Sequence, residues 1–178
     1  SEQGEIWPAV YEKAFAKWKT GTATDWPDMT QIAFGSSVGA CKALAGGTIS
    51  WKATAPTSAD DLWSFVRSHS LSFRTFDPMV AWTYGSGASS PDNVDYGAAK
   101  IAANHAYTVL GWDYRGGEKY IVLRNPWGWY VPTSDVISGT WSSYDISYWR
   151  AETLGANGVF GLKASAFKMY YAGIGCVE

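Results

Sequence analysis

The amino-acid sequence predicts an α+β fold, with helices early in the chain and a mainly antiparallel β-sheet later. Three observations support this class. Apolar residues recur at helical spacing before about residue 70, runs of β-branched and aromatic residues dominate after residue 78, and two of those runs flank a Gly-Gly pair. The chain has 178 residues, 47% hydrophobic and 17% charged, which suits a folded domain with a substantial core.

The first predicted helix covers EIWPAVYEKAFAKWKTG, residues 5–21. Pro8 suits a first helical turn, where its missing N–H costs nothing, and Gly21 suits the end of a helix. The apolar residues lie on one face at helical spacing: Trp7, Tyr11, Ala14, Phe15 and Trp18. A wide aromatic face of this kind requires a partner surface.

Two further helices are predicted before residue 70. Residues 28–48, DMTQIAFGSSVGACKALAGGT, suggest a helix interrupted at Gly35 and Gly39, with a turn after it. The stretch TSADDLWSFVRSHS begins with Ser58 as N-cap and Asp61 three residues on, in a capping-box arrangement. His69 falls near the end of this helix, where the helix dipole favours a cation, and we interpret it as a surface residue.

The second half of the chain predicts strands. MVAWTYGS is a strand-like run, and the Gly-, Ser-, Pro- and Asp-rich residues 85–99 predict a loop. HAYTVLGWDYR and KYIVLRN, separated by Gly116-Gly117, predict an antiparallel hairpin. SSYDISYWRAET is ambiguous and compatible with a helical turn, and residues 158–177 predict strand, short helix and strand.

The hairpin places His105 at the start of one strand and Asn125 at the end of the next, near the same end of the hairpin. An Asn amide oxygen can accept a hydrogen bond from one imidazole nitrogen and fix the ring's tautomer, as the third member of a catalytic triad does. Trp127 can cover that bond and keep water from it. From this pattern alone, a catalytic pair and a buried His with a polar neighbour are equally good interpretations.

Charge and composition exclude several classes of function. The net charge of −2, with no run of basic residues, argues against binding to nucleic acid or anionic membrane. No apolar window is long enough to span a bilayer, and the first residues do not form a signal peptide, so we expect a soluble protein in an undetermined compartment. The two cysteines neither require nor exclude a disulfide.

The stretch NHAYTVLGWDYRGGEKYIVLRNPWGW resembles the His–Asn hairpin of calpain-type cysteine peptidases, a branch of the papain-like proteases. The motif Arg-Asn-Pro-Trp-Gly is intact at residues 124–128, whereas Asn104 stands where the family usually has Gly. Residues 5–21, the ALAGGT turn and residues 158–177 are similar to further family segments in the same order. The resemblance covers nearly the whole chain.

The resemblance implies a papain-like fold and specific roles. Residues 1–178 would be one domain, the C-terminal part of a protease core, with residues 1–21 as an interlobe helix and 22–178 as the His/Asn-bearing lobe. His105 would be general base and acid, Asn125 its orienting partner and Trp127 the shield. The implied substrate-binding positions are Gly46, Gly47 and Asn104, and the implied substrate is a peptide or protein.

The family's nucleophilic Cys, in a Gly-x-Cys-Trp motif, has no counterpart in this sequence. Cys41 lacks the Trp that follows the family's cysteine, and Cys176 matches a position where a small buried Cys is ordinary, so we expect neither to be the nucleophile. We therefore expect the thiol on a separate or absent N-terminal chain or lobe, and no peptidase activity from the isolated chain. The alternative is a non-catalytic calpain-like scaffold or binding module.

No cofactor is expected to be required. Animal calpains bind calcium within this lobe, and the resemblance therefore makes a calcium site possible here. Aspartates lie in loop-like stretches, as hard-cation sites require, but form no dense cluster: Asp92, Asp95, Asp135 and Asp145. A third hypothesis, a carbohydrate site built from Trp112, Trp129, Trp141 and Trp149, lacks an accompanying pair of carboxylates.

Overall fold

The computed structural model describes residues 7–33, 35–141 and 151–178. Two compact units are present, one within Ser1–Ser36 and one comprising Ser37–Glu178. Within the described ranges, no helix has the length and apolar character needed to cross a bilayer. The prediction of a single domain divided after residue 21 stays a prediction.

The first unit contains helix α1 (Trp7–Thr20) and a 3-10 turn at Met29–Ile32. The predicted first helix is therefore confirmed, and Gly21 follows it with φ +66°, a conformation that glycine adopts at helix ends. Tyr11 and Trp18 lie on the predicted apolar face and are 70% and 60% exposed.

The predicted second helix is wrong in its extent. Only Ser37–Ala45 forms helix α2, while Met29–Ile32 is a separate 3-10 turn in the other unit. The break comes at Gly35 and Ser36, which carry no helical structure, whereas Gly39 lies inside α2. Glycine costs helix stability without always ending a helix, so the sequence alone could not tell which of the two glycines interrupts the chain.

The capped helix is confirmed as α3 (Ala59–Ser68). The Ser58 hydroxyl accepts a hydrogen bond from the Asp61 amide at 3.0 Å and donates to the Asp61 carboxylate at 2.7 Å. Two shorter helices follow, α4 (Tyr96–Ala99), within the stretch predicted as a loop, and α5 (Ala164–Tyr170).

Every strand pair described is antiparallel, as predicted. The main strands are β1 (Ile49–Ala53), β4 (Met79–Thr83), β5 (Ala106–Arg115), β6 (Glu118–Arg124), β10 (Val159–Lys163) and β11 (Tyr171–Val177). Short strands are β2 (Ser70–Leu71), β3 (Arg74–Thr75), β7 (Val136–Ile137), β8 (Thr140–Trp141) and β9 (Glu152–Thr153). The larger sheet runs in the order β1-β11-β4-β5-β6-β10-β7, with β3 beside β5 and β2 beside β3, and β8 and β9 pair separately. Most of the ambiguous stretch 142–153 lies outside the described residues.

The main hydrophobic core lies between one face of this sheet and helices α3 and α5. Its members share near-complete burial and include Leu62, Val66, Met79, Ala81, Tyr107, Val109, Ile121, Leu123, Phe160, Phe167, Tyr171 and Ile174. Helix α2 packs on the opposite face, where Val38 approaches Gly175 of β11. The α+β class with a mainly antiparallel sheet is thus confirmed.

Candidate active site

The predicted hairpin is present and contains an irregularity that the sequence pattern did not reveal. Next to the Gly116-Gly117 turn, Arg115 pairs with Glu118, but the register shifts between Val109 and Gly111, so that Thr108 pairs with Arg124. The shift leaves Leu110 as one extra residue on β5. A one-residue shift exchanges the two faces of a strand for every position beyond it.

This β-bulge determines whether His105 and Asn125 lie on the same face of the hairpin. Continuing the register past Arg124 sets Asn125 opposite Tyr107, and His105 is two residues before Tyr107, on the same face. Without the extra residue, Asn125 would oppose Thr108 and face away from His105. The His105 and Tyr107 rings are indeed in contact, with centroids 4.9 Å apart.

The backbone of His105 is fixed by β4. Its N–H donates to the Thr83 hydroxyl at 3.0 Å, and its carbonyl accepts from the Thr83 N–H at 3.0 Å. The Thr83 hydroxyl itself donates to the Ala102 carbonyl at 2.8 Å. Since Thr83 is buried, these hydrogen bonds fix the backbone of His105 to the interior of the protein.

The Asn125 side chain is fully buried, and all of its hydrogen-bonding capacity is used. Its Nδ2 group donates to the carbonyls of Trp129 and Tyr130, at 3.0 Å each. Its Oδ1 atom accepts from the Trp127 N–H at 3.1 Å and lies 3.0 Å from His105 Nε2. A flipped amide would set Nδ2 against an N–H donor and Oδ1 against two carbonyls, so the amide orientation is determined by its partners.

The orientation of Asn125 determines the tautomer of His105. Because an amide oxygen faces Nε2, that nitrogen must carry a proton to make a hydrogen bond. In the neutral ring the other nitrogen, Nδ1, then holds the lone pair and is the basic atom. This is the division of roles that a general base oriented by an amide requires.

The surroundings of His105 favour the neutral ring. Burial lowers the pKa of His105 below its usual 6.5, and the hydrogen bond to Asn125 opposes that shift only in part. The Trp127 indole covers the imidazole at a centroid distance of 4.3 Å, with the two ring planes 40° apart, and is itself 44% exposed. Trp127 thus lies where the predicted shield was expected.

Asn104, the residue before His105, has φ +50° and is exposed. This left-handed region is favourable for Gly and is tolerated by Asn better than by most other residues. The observed conformation therefore explains why Asn can occupy a position where the calpain-type peptidases, which this sequence resembles, usually have Gly. The role of Asn104 in substrate binding stays a prediction.

The structure does not bring Gly46 and Gly47 to this site. Thr48 pairs with Glu178 at one end of β11, whereas His105 is level with Thr83 and Tyr171 at the other end, about 20 Å away at the usual rise per strand residue. Gly47 has a packing role instead, because a Cβ there would lie 2.1 Å from the Glu178 carbonyl oxygen. The register therefore gives no support to a substrate-binding role for this pair.

Neither cysteine is close to His105, and both are free thiols. Cys176 pairs with Met79, four residues along β4 from Thr83, which is about 13 Å. Cys41 lies on α2, across the sheet from the His105 face. Burial raises the pKa of the Cys41 thiol, and burial together with the charges of Asp77 and Glu178 raises the pKa of Cys176 to about 12.

The aspartates considered for calcium are dispersed. Asp95 caps α4 by accepting from the Ala98 N–H, and the Asp135 carboxylate is 4.0 Å from Lys163 Nζ. Among the described residues, neither these two nor Asp92 belongs to a group of three or more His, Cys, Asp or Glu residues whose ligand atoms lie within 4.8 Å of one another. Asp145 lies outside the described residues, and calcium binding stays a prediction.

Sequence reasoning missed three contributors to the site: the bulge at Leu110, the buried anchor Thr83, and the carbonyls of Trp129 and Tyr130. A signal for the bulge was present, because Gly111 interrupts an otherwise strand-forming run. Backbone carbonyls in a loop leave no comparable signal in the sequence.

A histidine oriented by a buried Asn amide, on an antiparallel sheet packed against helices, is the arrangement found in papain-like thiol proteases. A family profile described as "Calpain family cysteine protease" matches residues 1–177. The chain therefore belongs to the calpain family of cysteine proteases.

Individual relatives agree with this assignment. The chain is 37% identical over 136 residues to a thiol protease of Porphyromonas gingivalis (strain ATCC BAA-308 / W83), an alignment that covers 74% of this chain and 27% of that protein. It is 26% identical over 180 residues to the calpain-type cysteine proteases ADL1 of Oryza sativa subsp. japonica and DEK1 of Zea mays, covering 97% of this chain and 8% of each. The chain thus spans about a quarter or less of the length of these relatives.

Proposed function

We propose that this chain is the His/Asn half of a cysteine endopeptidase, with His105 as general base and acid and Asn125 as its orienting residue. The observation that carries the proposal is the fully satisfied amide of Asn125. Its four hydrogen bonds fix the oxygen toward His105 Nε2 and so assign the basic lone pair to Nδ1.

The chemistry follows from that tautomer. Nδ1 takes the proton of a thiol, and the sulfur attacks a peptide carbonyl carbon. The C–N bond then breaks, the imidazolium returns its proton to the leaving amine, and a thioester remains. Water, deprotonated by the same imidazole, cleaves the thioester and restores the thiol. Asn125 stabilises the ring through each transfer, and Trp127 limits the access of water to their hydrogen bond.

The thiol in this proposal comes from polypeptide other than the residues of this chain. The positions and raised pKa values of Cys41 and Cys176 support this, because a nucleophilic cysteine needs a thiolate within reach of the imidazole. The partner is a Cys-bearing N-terminal chain or lobe. The exposed aromatic residues of α1, Tyr11 and Trp18, are compatible with a surface that such a partner covers.

The substrates in this proposal are peptides or proteins, bound next to the Asn104–His105 segment. Two observations support this: Asn104 is exposed, and it directly precedes His105 in the chain, so its amide can hydrogen-bond an extended backbone there. No cofactor takes part in the proton transfers, and a supporting calcium ion in a loop is a separate proposal that calcium-dependent melting would test.

The test compares the chain alone with the chain combined with its Cys-bearing neighbour, expressed together from the same gene. We expect no cleavage of a fluorogenic casein by the isolated chain, cleavage by the combination, and loss of that cleavage in His105→Ala. A peptidyl epoxide that alkylates active-site thiols should label the added segment. Labelling of Cys41 or Cys176, or cleavage that survives His105→Ala, would overturn the proposal.

A non-catalytic scaffold is the competing function, and the absence of a thiol near His105 is the observation that favours it. A scaffold has no requirement for a defined imidazole tautomer. If the adjoining coding sequence lacks a Gly-x-Cys-Trp motif and the combined protein cleaves nothing, while retaining its fold, the scaffold is the better description.

A further inference from the structure

A second group of side chains that can bind metals lies at the other end of the sheet strands, away from His105. It comprises His69, Asp77 and Cys176, whose ligand atoms all lie within 4.8 Å of one another, and we name it the 69-77-176 cluster. Glu178 adjoins it, with its Oε1 atom 3.1 Å from His69 Nε2. From this geometry we infer that the 69-77-176 cluster binds a zinc ion.

The donor set fits zinc better than calcium or magnesium. An imidazole, a thiol and a carboxylate are the three side-chain types that Zn²⁺ takes in proteins, whereas the hard cations require oxygen ligands. Four ligands at about 2.0–2.3 Å in a tetrahedron lie roughly 3.3–3.8 Å apart. The longest separation in the cluster therefore needs to shorten by about 1.0–1.5 Å, and the Glu178 carboxylate supplies a further acidic group at its edge.

The three side chains are held on separate elements that are tied together by the backbone. His69 follows α3, and its carbonyl accepts from the Phe76 N–H at 3.1 Å. The segment after Phe76 is bound to β11 where the Val177 N–H donates to the Pro78 carbonyl at 3.2 Å. Sites built on such fixed elements require little reorganisation when an ion binds.

The 69-77-176 cluster is largely buried, so a cation bound there would interact strongly with the neighbouring carboxylates and thiol. Cys176 is 0% exposed and the His69 side chain is 15% exposed, and two carboxylates, those of Asp77 and Glu178, adjoin these groups. A dication bound here compensates the carboxylates, and Cys176 coordinates it as a thiolate whose proton passes to solvent. One proton is released from Cys176 for each ion bound.

The consequence is structural and independent of the proposed peptidase chemistry. Cys176 is about 13 Å along the sheet from the level of His105. A bound ion links the end of α3, the segment before β4 and the end of β11. Zinc at a hundredfold excess over its Kd should then raise Tm by roughly 5–10 °C for a chain of this size.

The test uses reduced, chelator-treated protein titrated with zinc and, as a spectroscopic probe, with Co²⁺. We expect one ion per chain and a thiolate-to-cobalt charge-transfer band in the near ultraviolet. Cys176→Ser should abolish the band, and Asp77→Asn, which preserves the shape of the side chain, should weaken binding tenfold or more. Cys41→Ser is the matched control and should leave both the band and the affinity unchanged.

The proposal is overturned if the wild-type chain binds no stoichiometric ion, or if binding persists unchanged in Asp77→Asn. It is also overturned if Cys41→Ser rather than Cys176→Ser removes the cobalt band. Circular dichroism of each variant separates loss of binding from loss of folding, and Asp77→Asn remains informative if Cys176→Ser fails to fold. Peptidase activity is not a readout, so this test and that of the proposed function fail separately.

Discussion

His105 and Asn125 face each other because the strand between them contains one extra residue. The bulge at Leu110 converts a register in which the two side chains would lie on opposite faces into one with a 3.0 Å contact between Nε2 and Oδ1. Gly111 allows this geometry, since a Cβ there would lie 1.9 Å from the Phe73 carbonyl oxygen. The position of a catalytic-type pair thus depends on a residue that touches neither member.

Substitution of Gly111 should disturb the hairpin. In Gly111→Ala the new methyl group meets a backbone carbonyl that cannot rotate away, and we expect a loss of roughly 2–3 kcal/mol in the free energy of unfolding. Gly85→Ala is the control, because its nearest neighbour would be 4.0 Å away. Urea unfolding measures both, and equal stability of the two variants would contradict this account of the bulge.

Removal of the Asn125 amide should leave the His105 tautomer undetermined. Asn125→Ala deprives the Trp129 and Tyr130 carbonyls of their donor, at a cost of about 1–3 kcal/mol in the free energy of unfolding. Nitrogen-15 NMR of the neutral imidazole should show a protonated Nε2 in the wild type and a mixture of tautomers in the variant. A single unchanged tautomer in the variant would show that another group fixes the ring.

Removal of the indole should raise the pKa of His105. Burial is the larger cause of its lowered pKa, and Trp127 is the ring that covers it at 4.3 Å. In Trp127→Ala the imidazole gains solvent, so its titration midpoint should move up toward 6.5. The chain has only two histidines, and His69→Gln identifies the His105 proton resonance by elimination. Trp51→Ala, which removes an exposed indole from strand β1 of the same unit, is the control that should leave the midpoint unchanged.

Stability should fall on mild acidification. Above pH 6.5, His105 is neutral in both the folded and the unfolded chain. Below pH 6.5, the unfolded chain binds a proton that the folded chain binds only at lower pH, so the free energy of unfolding decreases as the pH falls through the folded midpoint. The measurement is urea unfolding from pH 7.5 down to the folded midpoint, with chelator present.

The comparison variant in that experiment is His105→Gln. It lacks the titrating group and should lose less stability over the same pH interval, whereas His69→Gln retains His105 and its contribution. Identical pH profiles for wild type and His105→Gln would contradict a lowered pKa at this position.

The N-cap of α3 should contribute measurably to stability. Ser58→Ala removes the acceptor for the Asp61 N–H, and we expect a loss of about 1 kcal/mol. Ser58→Asp retains an acceptor at the same place and should restore most of it. Thermal melting of the three proteins suffices, and full stability in Ser58→Ala would show that the cap is dispensable.

Local chemistry made much of the fold predictable. Ser58 and Asp61 located a helix start, and Gly116-Gly117 located a hairpin turn, because each feature depends on residues within a few positions of one another. The extent of α2 was not predictable, since Gly35 and Gly39 offer the same intrinsic propensity and packing decides between them. The strand at Ile49–Ala53 was not predicted either, because its partner, β11, lies more than a hundred residues along the chain.

The proximity of the central pair, His105 and Asn125, was predictable from the sequence, whereas its geometry was not. The ends of a hairpin bring His105 and Asn125 near each other, but their faces depend on the count of residues between them. The substrate-binding role inferred for Gly46-Gly47 came from resemblance alone, and the pairing of Thr48 with Glu178 sets these glycines far from His105.

The bulge also bears on how relatives of this chain should be compared. A relative with a one-residue gap between the aligned histidine and asparagine retains both residues. The missing residue, however, moves every side chain beyond it to the opposite face of the strand. Its imidazole and amide then face opposite sides of the sheet. For this hairpin, the number of residues separating the pair is as informative about activity as the identity of the pair itself.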